Sequence, residues 1–174
     1  MARTKKMVEE IIKNAEYEHP KNEALHGAWF EGNYQFVTDS YRVICLYNPV
    51  DVKERKSQSK LTITDKFTDA ELNCTETITL PNAKEIRDKI RNLIGRKYRS
   101  YRVFYRLNNN PELATVNAKY LVECMEAIGA TELKYDPNRP QTGILFMETD
   151  LGKAILLPVY NTLNETEYWV KEIR

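Results

Sequence analysis

The chain opens on a helical pattern. Met7, Val8, Ile11, Ile12 and Ala15 recur at steps of one, three and four residues and form one apolar stripe, with Lys5, Lys6, Glu9, Glu10 and Lys13 on the remaining surface. This predicts a helix over residues 3–17, stopped before Pro20, whose ring cannot continue it. Strand-like runs follow at 24–30, 34–38 and 41–47, with turns at Glu31-Gly32-Asn33 and Asp39-Ser40. Residues 51–60 are polar and without period and read as an exposed loop, while 60–64 and 76–80 read as short strands. Asn82 as N-cap, Glu85 three positions on and Gly95 past the end bracket a second helix with Ile86, Ile90, Leu93 and Ile94 on its buried face. Residues 99–107 alternate, with Tyr101, Val103, Tyr105 and Leu107 on one side and Arg102, Phe104 and Arg106 on the other, as in a half-buried strand. A short strand at 113–116 leads to a third helix, capped by Asn117 and stopped by Gly129. Three strands, 131–135, 142–148 and 153–159, close the pattern, and residues 161–174 either add an edge strand or pack through Tyr168, Trp169 and Val170. The order predicts an α+β fold: an antiparallel sheet with two helices packed on one face, plus an inserted helix and strands.

Composition narrows the class. Hydrophobic residues at 42% and charged residues at 29% describe a globular chain, and 174 residues suffice for a sizeable core without covalent staples. Cys45, Cys74 and Cys124 form no CxxC pair and sit among apolar neighbours, which predicts buried, reduced thiols. No secretory signal and no membrane-spanning run is visible, so a cytoplasmic protein is expected. Catalytic patterns are sparse. His19 and His26 have no partners at metal-ligand spacing, neither a GxxxxGK[ST] nor a GxGxxG motif occurs, and Asp65 and Asp69 lie in a polar stretch where carboxylates are usually solvated. These observations point away from an enzyme, a metal and a cofactor.

One short segment carries more information. Val37-Thr38-Asp39-Ser40-Tyr41-Arg42-Val43 joins two strand-forming runs through a turn with an Arg at once behind it. Taken alone, it reads as a turn in which Asp39 bonds local backbone and Arg42 pairs with Asp39 or with a neighbouring strand. It also resembles the strand, Thr-Asp turn and Arg of the bacterial sliding clamp, the DNA polymerase III beta subunit, where the motif recurs as Ala-Thr-Asp-Gly-His-Arg-Leu. Thr38, Asp39 and Arg42 match; Ser40, Tyr41 and Val43 differ. Residues 115–135 resemble the strand, Asn, Tyr-Leu helix and strand of that repeat, and 139–159 its closing segment with an apolar-Pro-apolar triplet, here Leu157-Pro158-Val159. The resemblance covers 3–49 and 113–160. It implies a clamp-like domain over 1–49 and 113–160, a 50–112 insertion and a 161–174 tail. It further implies a peptide-binding cleft walled by Thr38, Ser40, Tyr41, Arg42 and Val43 on one side and Leu157, Pro158 and Val159 on the other. The expected partners are a linear peptide of a replication protein, DNA, and further copies of the chain in a homo-oligomer. The expected role is that of a replication processivity factor of bacterial, phage or mobile-element origin.

Charge adds a second candidate surface. Residues 81–106 hold nine Lys/Arg against two Asp/Glu, although the whole chain carries only +1. Arg87, Lys89, Arg91, Arg96, Lys97, Arg99, Arg102 and Arg106 alternate with Tyr98, Tyr101 and Tyr105, a composition suited to neutralising phosphates and stacking on bases. The same residues also fit a solvated helix face followed by a strand whose tyrosines belong to the core. Three functions therefore stay open: a replication-associated binding protein, a stand-alone protein-interaction module that never meets DNA, and a small hydrolase or nuclease subunit.

Overall fold

The computed structural model describes residues 1–57, 63–97, 101–159 and 169–173. In chain order, α1 (Ala2–Glu18) leads through a 3-10 turn to β1 (Trp29–Glu31), β2 (Tyr34–Thr38) and β3 (Arg42–Leu46). Then come α2 (Thr64–Asn73), β4 (Glu76–Thr79), α3 (Ala83–Ile94), β5 (Tyr101–Arg106) and β6 (Thr115–Asn117). The chain ends with α4 (Ala118–Ile128), β7 (Glu132–Tyr135), β8 (Leu145–Thr149), β9 (Gly152–Leu156) and β10 (Trp169–Ile173). Seven strands form one sheet in the order β1-β2-β3-β9-β8-β7-β4, and three form a second in the order β10-β5-β6. Every strand pair is antiparallel. The fold is α+β, as the pattern predicts.

A helix followed by a three-stranded meander occurs twice, as α1-β1-β2-β3 and as α4-β7-β8-β9. The two units join at the centre of the sheet, where β3 pairs with β9, Arg42 opposite Leu156 and Val43 opposite Ile155. Both helices lie on one face and touch each other, and α3 packs beside α4. Ile11, Ile44, Leu121 and Ile128 are buried in the core between helices and sheet. Asn82 caps α3 by accepting from the Lys84 N–H at 2.8 Å, and Gly129 ends α4 in the left-handed conformation at φ 69°.

Two expectations need correction. Residues 24–30 do not form one strand: Glu23–Leu25 is a 3-10 turn and only Trp29 begins β1. His26 therefore lies outside any strand and its Nε2 meets the His19 carbonyl at 2.8 Å. The cause is Gly27, at φ 145°, where the backbone presses against residues 54 and 55 too closely for any Cβ. Thr64, placed at the end of a short strand, instead starts α2; residues 60–62 of that strand lie outside the described residues. α2 covers the sheet face opposite α1 and α4, with Phe67, Ala70 and Cys74 packed on Trp29, Phe36, Val43, Phe146 and Ile155. All five residues of β3 are buried because both faces of the sheet are covered there. From the 161–174 tail, β10 is an edge strand on β5, with Trp169 stacked on Tyr105 at 4.2 Å.

The contact between β3 and β9 is close at one glycine. A Cβ on Gly152 would overlap the carbonyl oxygen of Cys45. Gly152→Ala is expected to lower unfolding stability by about 2–4 kcal/mol, an overpacking cost set in backbone rather than in a yielding side chain. Urea denaturation followed by circular dichroism measures it.

Candidate functional site

The turn between β2 and β3 is held by its own side chains. The Thr38 hydroxyl donates to the Arg42 carbonyl at 2.6 Å and accepts from the Ser40 N–H at 3.1 Å. Asp39 Oδ1 accepts the N–H groups of Tyr41 and Arg42 at 3.1 and 3.2 Å. This leaves Ser40 at φ 73°, a left-handed conformation that costs a non-glycine residue energy and is tolerated here because its neighbours fix it.

Behind the turn lies a buried ionic network. Arg42 is 2% exposed. Its Nε donates to Asp39 Oδ2 at 3.1 Å, and its Nη1 donates to Glu123 Oε2 of α4 at 2.6 Å. Its guanidinium sits 4.3 Å from the centre of the Tyr120 ring. Asn14 of α1 donates to Asp39 Oδ2 at 2.8 Å and to the Tyr120 hydroxyl at 3.1 Å. Burial works against the Arg42 charge, but Asp39 and Glu123 outweigh it and hold the guanidinium protonated above its ordinary range. The adjacent Cys124 thiol is pushed up to about 12, chiefly by burial, so it stays protonated and unreactive. Cys45 and Cys74 are likewise buried and free.

On the outer side of the same strands is an apolar cleft of about 490 Å³, lined by Leu25, Thr38, Ser40, Arg42, Val43, Ile63, Lys66, Ile144, Ile155 and Leu157. Five of the eight residues proposed for peptide binding meet here: Thr38, Ser40, Arg42, Val43 and Leu157. Leu157 reaches the cleft because its N–H donates to the Tyr41 carbonyl at 2.9 Å, which extends the β9–β3 ladder by one step. Tyr41 is not among the lining residues; its ring stacks on Tyr120 at 5.8 Å and leans on His19 at 5.7 Å. Pro158 and Val159 leave the cleft, and the Val159 N–H donates to the Thr115 carbonyl at 2.9 Å. Leu25, Ile63, Lys66, Ile144 and Ile155 complete the lining and were not among the sequence candidates. One signal existed for Ile63, which precedes Phe67, Ala70 and Cys74 at helical spacing.

The basic block does not form one free surface. Arg87 grips Glu126 through Nε at 3.0 and 3.1 Å and through Nη2, and Arg3 also reaches Glu126. Arg91 pairs with Asp88 at 3.1 Å and Arg102 with Glu18 at 3.5 Å. Lys89 lies 5.8 Å from the Trp169 ring. Arg106 is buried, which corrects its place on a phosphate-binding face, and Tyr105 belongs to the core rather than to a base-stacking surface. Arg96 and Lys97 are exposed, whereas Arg99 and Tyr98 lie outside the described residues. A groove between α1, α3 and α4 does gather Arg3, Lys6, Arg87, Arg91 and Lys119, but Glu10, Glu123 and Glu126 line it too. Among the described residues, no cluster of His, Cys, Asp or Glu could hold a metal ion, and no helix is long and apolar enough to cross a membrane.

No protein-family model matches the chain, and no curated protein sequence matches it. A similar solved structure is the Helicobacter pylori beta clamp bound to a DNA ligase peptide, with TM-score 0.34 and 14% identical residues over 75% of this chain. The match covers 41% of the Helicobacter chain, so this protein spans about two fifths of that length. At that level the likeness fixes neither family nor function.

Two measurements check the electrostatics. Arg42→Met strands two buried carboxylates and is expected to cost about 3–5 kcal/mol in urea denaturation, whereas Arg42→Lys keeps the charge and loses less. For Glu126, burial raises the carboxyl pKa, but the hydrogen bonds from Arg87 and Arg3 win and hold it below the usual carboxylate range. A depressed pKa stabilises the fold above the unfolded value and loses that contribution as pH falls. Glu126→Gln is therefore expected to cost about 1 kcal/mol at neutral pH, with the difference from wild type shrinking once pH drops below about 4.

Proposed function

We propose that the protein is a non-catalytic docking module of sliding-clamp type, which takes a short linear peptide of a replication partner into the cleft between β3, β9 and α2. The observation that carries this reading is that one chain supplies both walls. Val43 and Ile155 stand opposite each other in the β3–β9 ladder, Leu157 forms the rim, and Ile63 and Leu25 close the sides. An apolar recess of this size suits a few side chains, since ligand sites span roughly 300–1,000 Å³. Its floor is braced by the buried Arg42 network, so the recess is pre-formed and binding needs little reorganisation. The replication setting comes from the resemblance of residues 37–43 and 139–159 to the clamp repeat. Ser40 Oγ lies 2.7 Å from His19 Nε2, a pair that invites comparison with a nucleophile and its base. The N–H groups of residues 40 to 42 are all committed to Thr38 and Asp39, which leaves that hydroxyl without an oxyanion donor from its own turn. This favours docking over acyl transfer.

A second reading, contact with DNA, is favoured by Arg96 and Lys97, which are exposed just past α3 with no ion pair among the described residues. Salt-dependent binding of duplex DNA, lost in a double Arg96→Glu and Lys97→Glu variant, is the outcome that reading expects.

For the cleft, fluorescence anisotropy with a labelled peptide of about eight residues carrying two large apolar side chains is expected to give micromolar affinity. Leu157 is 41% exposed, so Leu157→Asp should leave the melting temperature unchanged. The same variant should weaken the peptide by at least about tenfold, or about 1.4 kcal/mol. Equal binding by wild type and Leu157→Asp, or no binding of apolar peptides at all, would overturn the proposal.

A further inference from the structure

α2 crosses one face of the large sheet and has a different surface on each flank. Ile63 and Lys66 look into the cleft, whereas Thr64 and Glu71 reach residues on the other flank. There a row of side chains runs from β1 to β8. Glu31 stands opposite Tyr34 in the β1–β2 ladder, the Tyr34 and Tyr47 rings lie 5.2 Å apart, and Lys153 stands opposite Glu148 in the β8–β9 ladder. Tyr34 is 49% exposed and Tyr47 half-buried, so the two rings present an aromatic shelf to solvent. The carboxylates of the row are not equivalent. Glu71 and Glu148 both hold the Lys153 ammonium, Glu148 at 3.5 Å. Glu31 is held by neutral groups alone: the Trp29 indole N–H donates to its Oε1 at 3.1 Å and the Thr64 hydroxyl to its Oε2 at 2.6 Å. Arg55, whose charge interacts with Glu31, lies over the Trp29 ring, 4.7 Å from its centre, and makes no ion pair with that carboxylate among the described residues. Glu31 is thus fixed in place beside two accessible rings with its charge unmet.

We propose that Glu31, Tyr34 and Tyr47 form a second docking site, which takes an arginine side chain from an extended segment of a partner protein. The site lies on the far flank of α2 from the cleft and does not depend on the docking function proposed above. Charge complementarity sets the occupant. The row carries three carboxylates, Glu31, Glu71 and Glu148, against the one ammonium of Lys153, so a cation is drawn to it and an acid repelled. Among cations the geometry favours arginine. A guanidinium is planar and weakly hydrated, and it can donate to a carboxylate while its face rests on an aromatic ring. Opposed residues of an antiparallel pair stand about 5 Å apart at Cβ, so one guanidinium can touch the Glu31 carboxylate and the Tyr34 ring together. Lysine, a compact and strongly hydrated point charge, can serve one of these contacts but not both well. The two neutral donors fix the Glu31 carboxylate before the ligand arrives, so docking orders little that is not already ordered.

Trp29 reports on the site, because its indole N–H donates to Glu31 and the chain has only one other tryptophan, Trp169. The test titrates nitrogen-15-labelled protein with three short Gly-Ser peptides that carry two arginines, two lysines or two citrullines, the last keeping the planar shape without the charge. The arginine peptide is expected to move the Trp29 indole resonance and leave that of Trp169 in place. It should bind about fivefold tighter than the citrulline peptide, with the lysine peptide between them. Glu31→Gln keeps an acceptor for the indole and should weaken the arginine peptide by about fivefold. Tyr34→Ala removes an exposed ring and should weaken it by about threefold. Melting temperatures of both variants are expected to match wild type. The preference should shrink between about 50 mM and about 500 mM salt. A saturating apolar peptide in the cleft should leave the arginine titration unchanged. If the citrulline peptide binds as well as the arginine peptide, if both variants bind like wild type, or if the Trp29 resonance does not move, the arginine site is wrong. If the apolar peptide displaces the arginine peptide, there is one site rather than two, and this inference falls while the docking function stands.

Discussion

A single guanidinium organises this molecule. Arg42 starts the central strand β3, yet its side chain points inward and ties three separate parts of the chain together. Asp39 comes from the preceding turn, Glu123 and Tyr120 come from α4, and Asn14 of α1 reaches the same carboxylate. A buried ion pair adds little net stability over an apolar replacement, but a buried charge with one partner missing costs a great deal. The network therefore acts as a condition on geometry. The β2–β3 turn, α1 and α4 have to take up one mutual arrangement, because alternatives leave a charge in the core without its counterpart. The inner wall of the cleft inherits that rigidity, since Thr38, Ser40 and Val43 flank the residues so held.

The same logic explains why α2 matters. The seven-stranded sheet has α1, α3 and α4 on one face, and without α2 the opposite face would expose Trp29, Phe36, Val43, Phe146 and Ile155. Phe67 and Ala70 cover part of that surface and leave the cleft uncovered beside it. The recess is thus the margin of a covered face. Its apolar character follows from the sheet, and its shape from where the helix starts.

Much of this was legible in the order of residues, for identifiable reasons. α1, α3 and α4 announce themselves through regular apolar spacing, and Asn82, Asn117, Gly95 and Gly129 mark their ends. The Thr-Asp turn could be read because its hydrogen bonds are local, spanning no more than four residues. What stayed hidden depended on distant contacts. α2 has only Phe67, Ala70 and Cys74 to bury among many polar residues, and its helix is stabilised by packing on strands far away in sequence. Residues 24–30 look extended until the backbone of 53–55 crosses them. Ile155 enters the cleft through strand pairing and Ile144 from the position just before β8, which no local pattern records. The basic block could be counted, but the carboxylates of Glu18 and Glu126 that take up Arg102 and Arg87 lie far along the chain.

The two rims of the large sheet are unlike. At β1, the Ala28 N–H donates to the Lys53 carbonyl and the Arg55 N–H to the Ala28 carbonyl, each at 2.9 Å. That crossing strip leaves too little bare backbone there to template a neighbour. At β4, residues 76 to 79 pair with β7 on one side, and their other side meets no strand among the described residues. That open side is itself partly closed, because the Asn108 side-chain amide donates to the Thr79 carbonyl there at 2.8 Å. Among the described residues, then, neither rim offers an unbroken row of backbone groups to a passing strand.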